Sequence, residues 1–164
     1  MKKYFFLLVF INILAASCCK TEENPQHINK FTCKVNGVFW ESVPYENSIL
    51  GNDLQMGKST FSDIASISAR NVKKEQSMGF NMSLSDTVKA FIITNDTPFS
   101  NYGRGCNVYK LDTLVKHTVT ITEHDKIKKI AKGMFSFRAV NKTIGCIDTV
   151  NITDGFFDMQ YSIN

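Results

Sequence analysis

The sequence predicts an all-β domain, an antiparallel sandwich or barrel-like fold of about 8–11 strands. Apolar and polar residues alternate with period two in one segment after another, which is the pattern of half-buried strands. Asn-Gly and Asp-Gly steps, which favour tight hairpin turns, stand between alternating runs near both ends of the domain. No stretch longer than about ten residues has a helical period.

The first predicted element is a hairpin at residues 31–40. Asn36-Gly37 separates two alternating runs, and both residues tolerate the positive φ that a two-residue turn requires. This turn places Cys33 opposite Trp40 and directs one face toward the core. The residues of that face are Phe31, Cys33, Val35, Val38 and Trp40. Cys33 is therefore expected to be a buried free thiol.

Further strands follow from the same alternation. It predicts strands at 65–70, 78–84, 118–122 and 135–139. Phe91-Ile92-Ile93 is a continuous apolar run, which indicates a short strand buried on both faces. A second hairpin is expected to turn at Asp154-Gly155. Its last strand would point these residues inward: Phe157, Met159, Tyr161 and Ile163.

The N-terminal segment predicts export. Lys2 and Lys3 precede an apolar run of about 13 residues, whereas a membrane-spanning helix needs about 20. Ala15-Ala16-Ser17-Cys18 resembles the lipobox of bacterial lipoproteins, although Ala15 replaces the preferred residue and Leu14 comes one place too early. The resemblance implies cleavage after Ser17 and a lipid on Cys18.

Three segments result from this assignment: a signal peptide at 1–17, a polar tether at 18–29 and the β domain at 30–164. The expected location is the outer membrane, to which the lipid anchors the protein. The domain lies on either the periplasmic or the cell-surface face, and the sequence does not distinguish the two. The formal charge of the chain is +4, and Lys2 and Lys3 supply two of these charges. We therefore expect no nucleic-acid partner.

The domain carries motifs that resemble a known family. It begins with Phe-Thr-x-Lys-Val-Asn-Gly-x-x-Trp at 31–40. The later motifs are Val119-Thr120-Ile121-Thr122, Asp125, Gly133-Met134-Phe135-Ser136-Phe137 and Ile152-Thr153-Asp154-Gly155-x-Phe157. Together they are similar to a family of small Bacteroidetes lipoproteins of unknown function, over nearly the whole domain. The resemblance implies an antiparallel β-sandwich or barrel-like fold and brings no catalytic residues.

The two histidines of the predicted domain do not form a catalytic or metal centre by their spacing. His117 and His124 are an odd number of residues apart on one predicted strand, so they face opposite sides unless a bulge intervenes. No nucleophile elbow, calcium loop or phosphate loop accompanies them. We therefore expect no enzyme activity, no metal and no cofactor. The alternative is an envelope hydrolase with a site assembled in space around His117 or His124.

The stretch 95–105 is the candidate binding loop. It combines turn-forming residues with Phe99, Tyr102 and Arg104, a mixture that is common where loops recognise ligands. The alternative is a long connection whose aromatic side chains cover the core. The expected partners are the membrane, through the lipid, and a glycan or another envelope protein. An accessory subunit of a larger assembly is a third alternative.

Cys106 and Cys146 are the disulfide candidates. Cys33 is assigned to the core and Cys19 adjoins the anchor, so these two cysteines remain. Each stands beside a glycine near a predicted strand end, where a bridge would join two loops.

Thr87, Thr113 and Thr149 each follow an aspartate and precede an aliphatic residue. This pattern resembles the O-glycosylation signal of exported Bacteroidetes proteins. The alternative is that Asp-Thr-aliphatic marks the entry into a strand, because Asp suits turns and Thr suits strands.

Overall fold

The fold is all-β, as the alternation predicts. The structure is a computed structural model that describes residues 27–43, 54–84, 90–91, 99–101 and 108–163. These ranges contain twelve strands and no helix. The described residues therefore include no helix that could cross a membrane. The strands are β1 Lys30–Val35, β2 Val38–Glu41, β3 Leu54–Lys58, β4 Ile64–Asn71, β5 Gln76–Ser83, β6 Ala90–Phe91, β7 Phe99–Asn101, β8 Val108–Leu111, β9 Thr118–Asp125, β10 Ile130–Asn141, β11 Asp148–Gln160 and β12 Ser162–Ile163.

The strands form two sheets that pack together without closing into a barrel. The first sheet has the order β2-β1-β11-β10-β9-β6, and the second has the order β12-β3-β4-β5-β7. All pairs between these strands are antiparallel except the pair of β12 with β3. Alternating side chains of the two inner faces fill the space between the sheets, which is the arrangement of a β-sandwich.

Strand β8 belongs to both sheets. Its first half pairs with β7 of the second sheet, where Val108 lies opposite Ser100. Its second half pairs with β10 of the first sheet, where Lys110 lies opposite Val140. β8 therefore crosses from one sheet to the other within four residues.

The opening hairpin is confirmed. Asn36 and Gly37 have φ values of 49° and 82°, and Cys33 lies opposite Trp40. Phe31, Cys33 and Trp40 are buried, but Val38 is 64% exposed, which differs from the prediction. Val38 directly follows the turn, at the end of the hairpin.

The other predicted strands also form. The segments predicted at 65–70, 118–122 and 135–139 lie in β4, β9 and β10, and the segment predicted at 78–84 lies in β5 except for its last residue. Phe91 is in β6, while Ile92 and Ile93 lie outside the described residues. Of the last predicted set, Phe157, Met159 and Tyr161 are buried. Ile163 is 49% exposed because it has passed into β12, next to β3.

The predicted hairpin at Asp154-Gly155 is wrong, because both residues lie inside the continuous strand β11. At this point the register of β11 shifts by one residue against both β1 and β10, which makes a β-bulge. Asp154 has a positive φ of 51°, whereas Gly155 does not. A two-residue turn of the predicted type needs positive φ at both positions. Since β1 and β10 pair with β11 on either side of the bulge, the chain continues instead of turning back.

Two reciprocal glycine–phenylalanine pairs join β10 and β11. Gly133 lies opposite Phe157, and Phe135 lies opposite Gly155. A Cβ atom added at Gly133 would be 2.5 Å from the ring Cζ of Phe157, and one added at Gly155 would be 2.6 Å from the ring of Phe135. Each ring therefore lies directly on the backbone of the opposite glycine, in space that a Cβ atom would fill.

Aromatic rings form the centre of the core. Phe80 of β5 faces three rings of the first sheet, with centroid distances of 6.2 Å to Phe31, 5.0 Å to Phe135 and 6.3 Å to Phe137. Trp40 meets Phe31 edge-on at 5.9 Å. The rings are tilted or edge-on to one another and so avoid the unfavourable face-to-face sandwich, and the cluster holds the two sheets against each other.

Cys33 is a free thiol in this core, as the hairpin register predicts. Its Sγ is 4.0 Å from the Sδ of Met78 on the opposite sheet. Burial raises the pKa of the Cys33 thiol to about 12. The thiolate, which is the reactive form of cysteine, is therefore suppressed near neutral pH.

Candidate functional site

A groove opens where β8 leaves β10. Its lining includes Val108, Lys110, Val140, Asn141 and Lys142, and its volume is about 490 Å³. This volume is within the range of roughly 300–1,000 Å³ that is usual for small-ligand sites. The groove is the strongest candidate site on the described part of the chain.

The groove is far from the point where the chain enters the domain. β1 begins at Lys30, opposite Asp158, and β10 begins at the same end of the sheet, where Ile130 lies opposite Gln160. β10 then continues for its twelve residues to Asn141, which lines the groove. At about 3.3 Å per residue, the groove and the entry point are roughly 35 Å apart.

Backbone groups face the groove because the β8–β10 ladder stops early. The Asp112 N–H donates to the Arg138 carbonyl oxygen of β10 at 2.9 Å. Alternate residues of a strand direct their backbone groups to the same side, so those of Lys110 and Val108 also face β10. The last pair of the ladder is Lys110 with Val140. The same register would next place Val108 opposite Lys142, but this pair does not form. The N–H and C=O of Val108 on this side therefore have no ladder partner among the described strands.

The side chains of the groove offer hydrogen-bond donors. Lys110 and Lys142 are exposed, and neither forms an ion pair within the described ranges. Asn141 is 2% exposed, and its Oδ1 accepts the Thr143 N–H at 2.9 Å. Within the same ranges the Asn141 Nδ2 has no hydrogen-bond partner. Two cations and an amide donor favour a ligand that carries acceptor oxygens and negative charge.

Two loops beside the groove expose aliphatic side chains. Leu114 follows β8, and Ile144 and Ile147 follow β10; all three are at least 84% exposed. A single exposed aliphatic residue is ordinary, but three on neighbouring loops mark a surface suited to contact with a partner. Cys146, in the second loop, is disulfide-bonded, which restrains that loop.

A polar cluster fixes the loop 112–117 to β10. The Arg138 Nε donates to Asp112 Oδ2 at 2.6 Å, the Arg138 Nη2 contacts the same oxygen, and the Leu114 N–H donates to Oδ1 at 3.1 Å. The Leu114 N–H lowers the pKa of Asp112 most, and Arg138 and Lys142 lower it further, while burial opposes them. The net effect keeps this pKa below its ordinary value, so the carboxylate is ionised at neutral pH.

His117 is part of the same cluster, and both of its ring nitrogens are engaged. The Arg138 N–H donates to Nδ1 at 3.4 Å, so Nδ1 acts as an acceptor. Nε2 then carries the proton, and it lies 2.6 Å from the Asp112 carbonyl oxygen. The ring thus completes the backbone hydrogen bonding of β10 in the gap between β8 and β9. His117 has a structural task here.

The inference that His117 and His124 face opposite sides is wrong. The register of β9 shifts by one residue at Thr122, and this bulge returns His124 to the inward side, opposite the buried Ala131. Its Nε2 is 3.1 Å from the Tyr161 hydroxyl. About 20 Å of strand separates the two histidines, which is too far for a shared metal. Among the described residues no three His, Cys, Asp or Glu side chains form a group that could hold a metal.

The structure changes part of the predicted binding loop. Phe99 lies in β7, is 2% exposed, and meets Tyr109 edge-on at 5.3 Å. The prediction that Phe99 contacts a ligand is therefore wrong, because pairing of β7 with β5 and β8 brings its ring into the core, as the alternative of a core-covering connection expects. Tyr102 and Arg104 lie outside the described residues, and their role stays a prediction.

Of the two disulfide candidates only Cys146 lies in the described part of the chain. This residue is disulfide-bonded, and Cys33, the other cysteine of the described part, is free. Cys106 lies outside the described residues, so the pairing of Cys106 with Cys146 stays a prediction.

The two described threonines of the Asp-Thr-aliphatic pattern are on the surface. Thr113 and Thr149 are exposed, and Thr87 lies outside the described residues. In both described copies the preceding aspartate accepts backbone hydrogen bonds: Asp112 from Leu114, and Asp148 from Thr149 at 2.7 Å. Exposure suits glycosylation at both threonines. Strand entry fits only the second copy, because Asp148 is the first residue of β11, whereas Asp112-Thr113-Leu114 lies in the loop after β8. Glycosylation stays a prediction.

Sequence reasoning missed the residues that form the groove. Lys110, Asn141 and Lys142 belong to no motif, and they meet only because β8 pairs with the end of β10. The one local signal is Asn141-Lys142 directly after the alternating run of β10, where polar residues mark the end of a strand.

Comparisons with known proteins add no assignment. No family model, curated protein or solved structure matches the chain. The candidate site therefore stands on its geometry alone.

Proposed function

We propose that the protein is a lipid-anchored, non-catalytic binding module of the cell envelope, with its ligand site in the groove between β8 and β10. The observation that carries the proposal is the early end of the β8–β10 ladder, which leaves a cavity of about 490 Å³ whose backbone and lysine groups have no partner among the described residues. Its distance from Lys30 also fits anchoring, since a tether that ends there would hold the groove away from the membrane.

The environment of the histidines supports a binding role over hydrolysis. Both ring nitrogens of His117 bond to main-chain atoms, and Nε2 of His124 bonds to the Tyr161 hydroxyl. A general base must be within hydrogen-bond reach of the proton that it removes. His117 would first have to give up its bonds to the loop and to β10.

Anchoring is tested by replacing Cys18 with serine. We expect Cys18→Ser to abolish lipid attachment, so that the protein leaves the membrane fraction or keeps its signal segment, because the serine hydroxyl cannot take the place of the thiol. Membrane fractionation and intact-mass measurement report the result. Cys19→Ser is the matched control and should behave as wild type. Membrane-bound, normally processed Cys18→Ser protein would contradict the proposal.

The ligand site is tested by photocrosslinking in intact cells. A photoreactive amino acid at Leu114 or Ile144 is expected to give a discrete crosslinked product, because both residues are exposed and directly follow the groove-lining residues Thr113 and Thr143. The control position is Phe61, which is fully exposed in the loop between β3 and β4. Equal crosslinking at Phe61, or none at the groove positions, would remove the groove as the binding site.

A further inference from the structure

We infer that the groove binds a short polypeptide segment in which acidic residues alternate with aliphatic ones, and that the segment pairs with the open end of the β8–β10 ladder. This inference rests on the proposed binding function and names the ligand class of the same groove. Three independent features of the groove lead to it: backbone, charge and apolar surface.

The backbone feature is the break in the ladder. The N–H and C=O of Val108 point toward β10, where the register calls for Lys142, and the two residues do not pair. Unpaired strand groups are a template for another strand. A polypeptide is the ligand that presents N–H and C=O groups at the same spacing, as in recognition by strand addition.

The charge feature selects acidic side chains. Lys110 and Lys142 flank the open backbone, and neither has an ion-pair partner within the described chain. Lys142 does contribute to the field at Asp112, but that carboxylate is already held by Arg138 at 2.6 Å. Acidic side chains of a bound segment would complement both lysines, and basic ones would be repelled.

The apolar feature selects aliphatic side chains at the remaining positions. Val108 and Val140 line the groove, and Leu114, Ile144 and Ile147 rise beside it. Lys110 lies opposite Val140, so the lysines and valines of the groove share one face of the sheet, and Tyr109 and Ala139 are buried on the other. Side chains of a strand alternate between its two faces, so a bound segment with acidic residues toward the lysines directs the intervening residues toward the buried face, where aliphatic side chains fit. Among the described residues none that lines the groove is aromatic, and stacking on a flat ring is what sugar rings commonly require; a polypeptide therefore fits better than a glycan.

The test uses the intact protein in detergent with three probes. The first is a pool of capped pentapeptides that alternate Val, Ile or Leu with Asp or Glu. The second pool replaces the acidic residues by Lys or Arg, and the third probe is oligogalacturonate, an acidic glycan. Binding is followed by backbone amide shifts in NMR spectra. We expect the acidic pool to bind with a Kd of roughly 10–1,000 μM and to shift the amides of Val108 and Lys142.

Two variants and one control separate the contributions of charge and backbone. Lys110→Glu/Lys142→Glu should weaken binding of the acidic pool at least tenfold, while Lys128→Glu/Lys129→Glu, in the turn at the other end of β10, should change it less than twofold. Val108→Pro removes the N–H that faces the groove, and at the first residue of β8 proline is tolerated in a strand. It should weaken binding at least threefold.

Several outcomes would overturn the inference. Absent shifts at Val108 and Lys142, or equal binding of the basic pool, would exclude an acidic polypeptide. Oligogalacturonate binding at the same amides, without peptide binding, would leave the groove as a binding site and replace its ligand class. Groove-specific photocrosslinking would stand in either case, so failure of this inference is distinguishable from failure of the proposed function.

Discussion

Alanine at Gly133 is expected to lower the free energy of unfolding by about 3 kcal/mol or more. The new Cβ atom would lie 2.5 Å from the Phe157 ring and 2.5 Å from the Thr120 carbonyl oxygen. The ring belongs to the packed core and the carbonyl to the backbone of β9, so neither yields without moving a strand. Urea unfolding followed by circular dichroism measures the change.

Two further variants give this prediction its controls. Met134→Ala, at the adjacent exposed position of β10, should change the stability by less than about 0.5 kcal/mol. Adding Phe157→Leu to Gly133→Ala should restore little, because the Thr120 oxygen still blocks the Cβ atom and the leucine leaves a cavity. A Gly133→Ala protein within 1 kcal/mol of wild type would show that β9 and β10 separate more easily than their packing indicates.

Truncation of Phe80 to alanine is the second large effect, with an expected loss of about 3–5 kcal/mol. Phe80 is fully buried and is the ring of the second sheet that meets Phe31, Phe135 and Phe137. Its removal leaves a cavity at the centre of the contact between the sheets. Thermal and urea unfolding of the purified variant measure the loss.

Phe61→Ala is the matched control, because the same chemical change is made at a fully exposed ring. It should alter the stability by less than about 0.5 kcal/mol. Similar effects at the two positions would contradict the assignment of Phe80 to the centre of the core.

Local signals explain which parts of the fold could be predicted. The hairpin at Asn36-Gly37 is correct because turn chemistry and alternation act over neighbouring residues and agree. At Asp154-Gly155 the same local signal gave a wrong hairpin. There, pairing of β11 with two strands on either side decides that the chain continues through a bulge.

The candidate site was beyond sequence reasoning for a related reason. The odd spacing of His117 and His124 predicted opposite faces, but one extra residue at Thr122 returns them to the same face. A bulge of this kind is recognised only once the partner strand is known. The groove exists because β8 changes sheets within four residues. Such a change of sheet depends on strands that are distant in the sequence, so the sequence alone could not predict that Lys110 and Asn141 line the same groove.

The position of β1 determines how the domain would carry tension. β1 lies between β2 and β11, and its first residue, Lys30, is the point through which a tether would pull. A force along β1 shears its hydrogen bonds to both neighbouring strands at the same time. A strand at the edge of a sheet has one neighbour only, and it can be peeled away one hydrogen bond at a time. With the groove at the far end of the same sheet, a load applied between Lys30 and the groove would run along the strands, the direction in which many hydrogen bonds share the force.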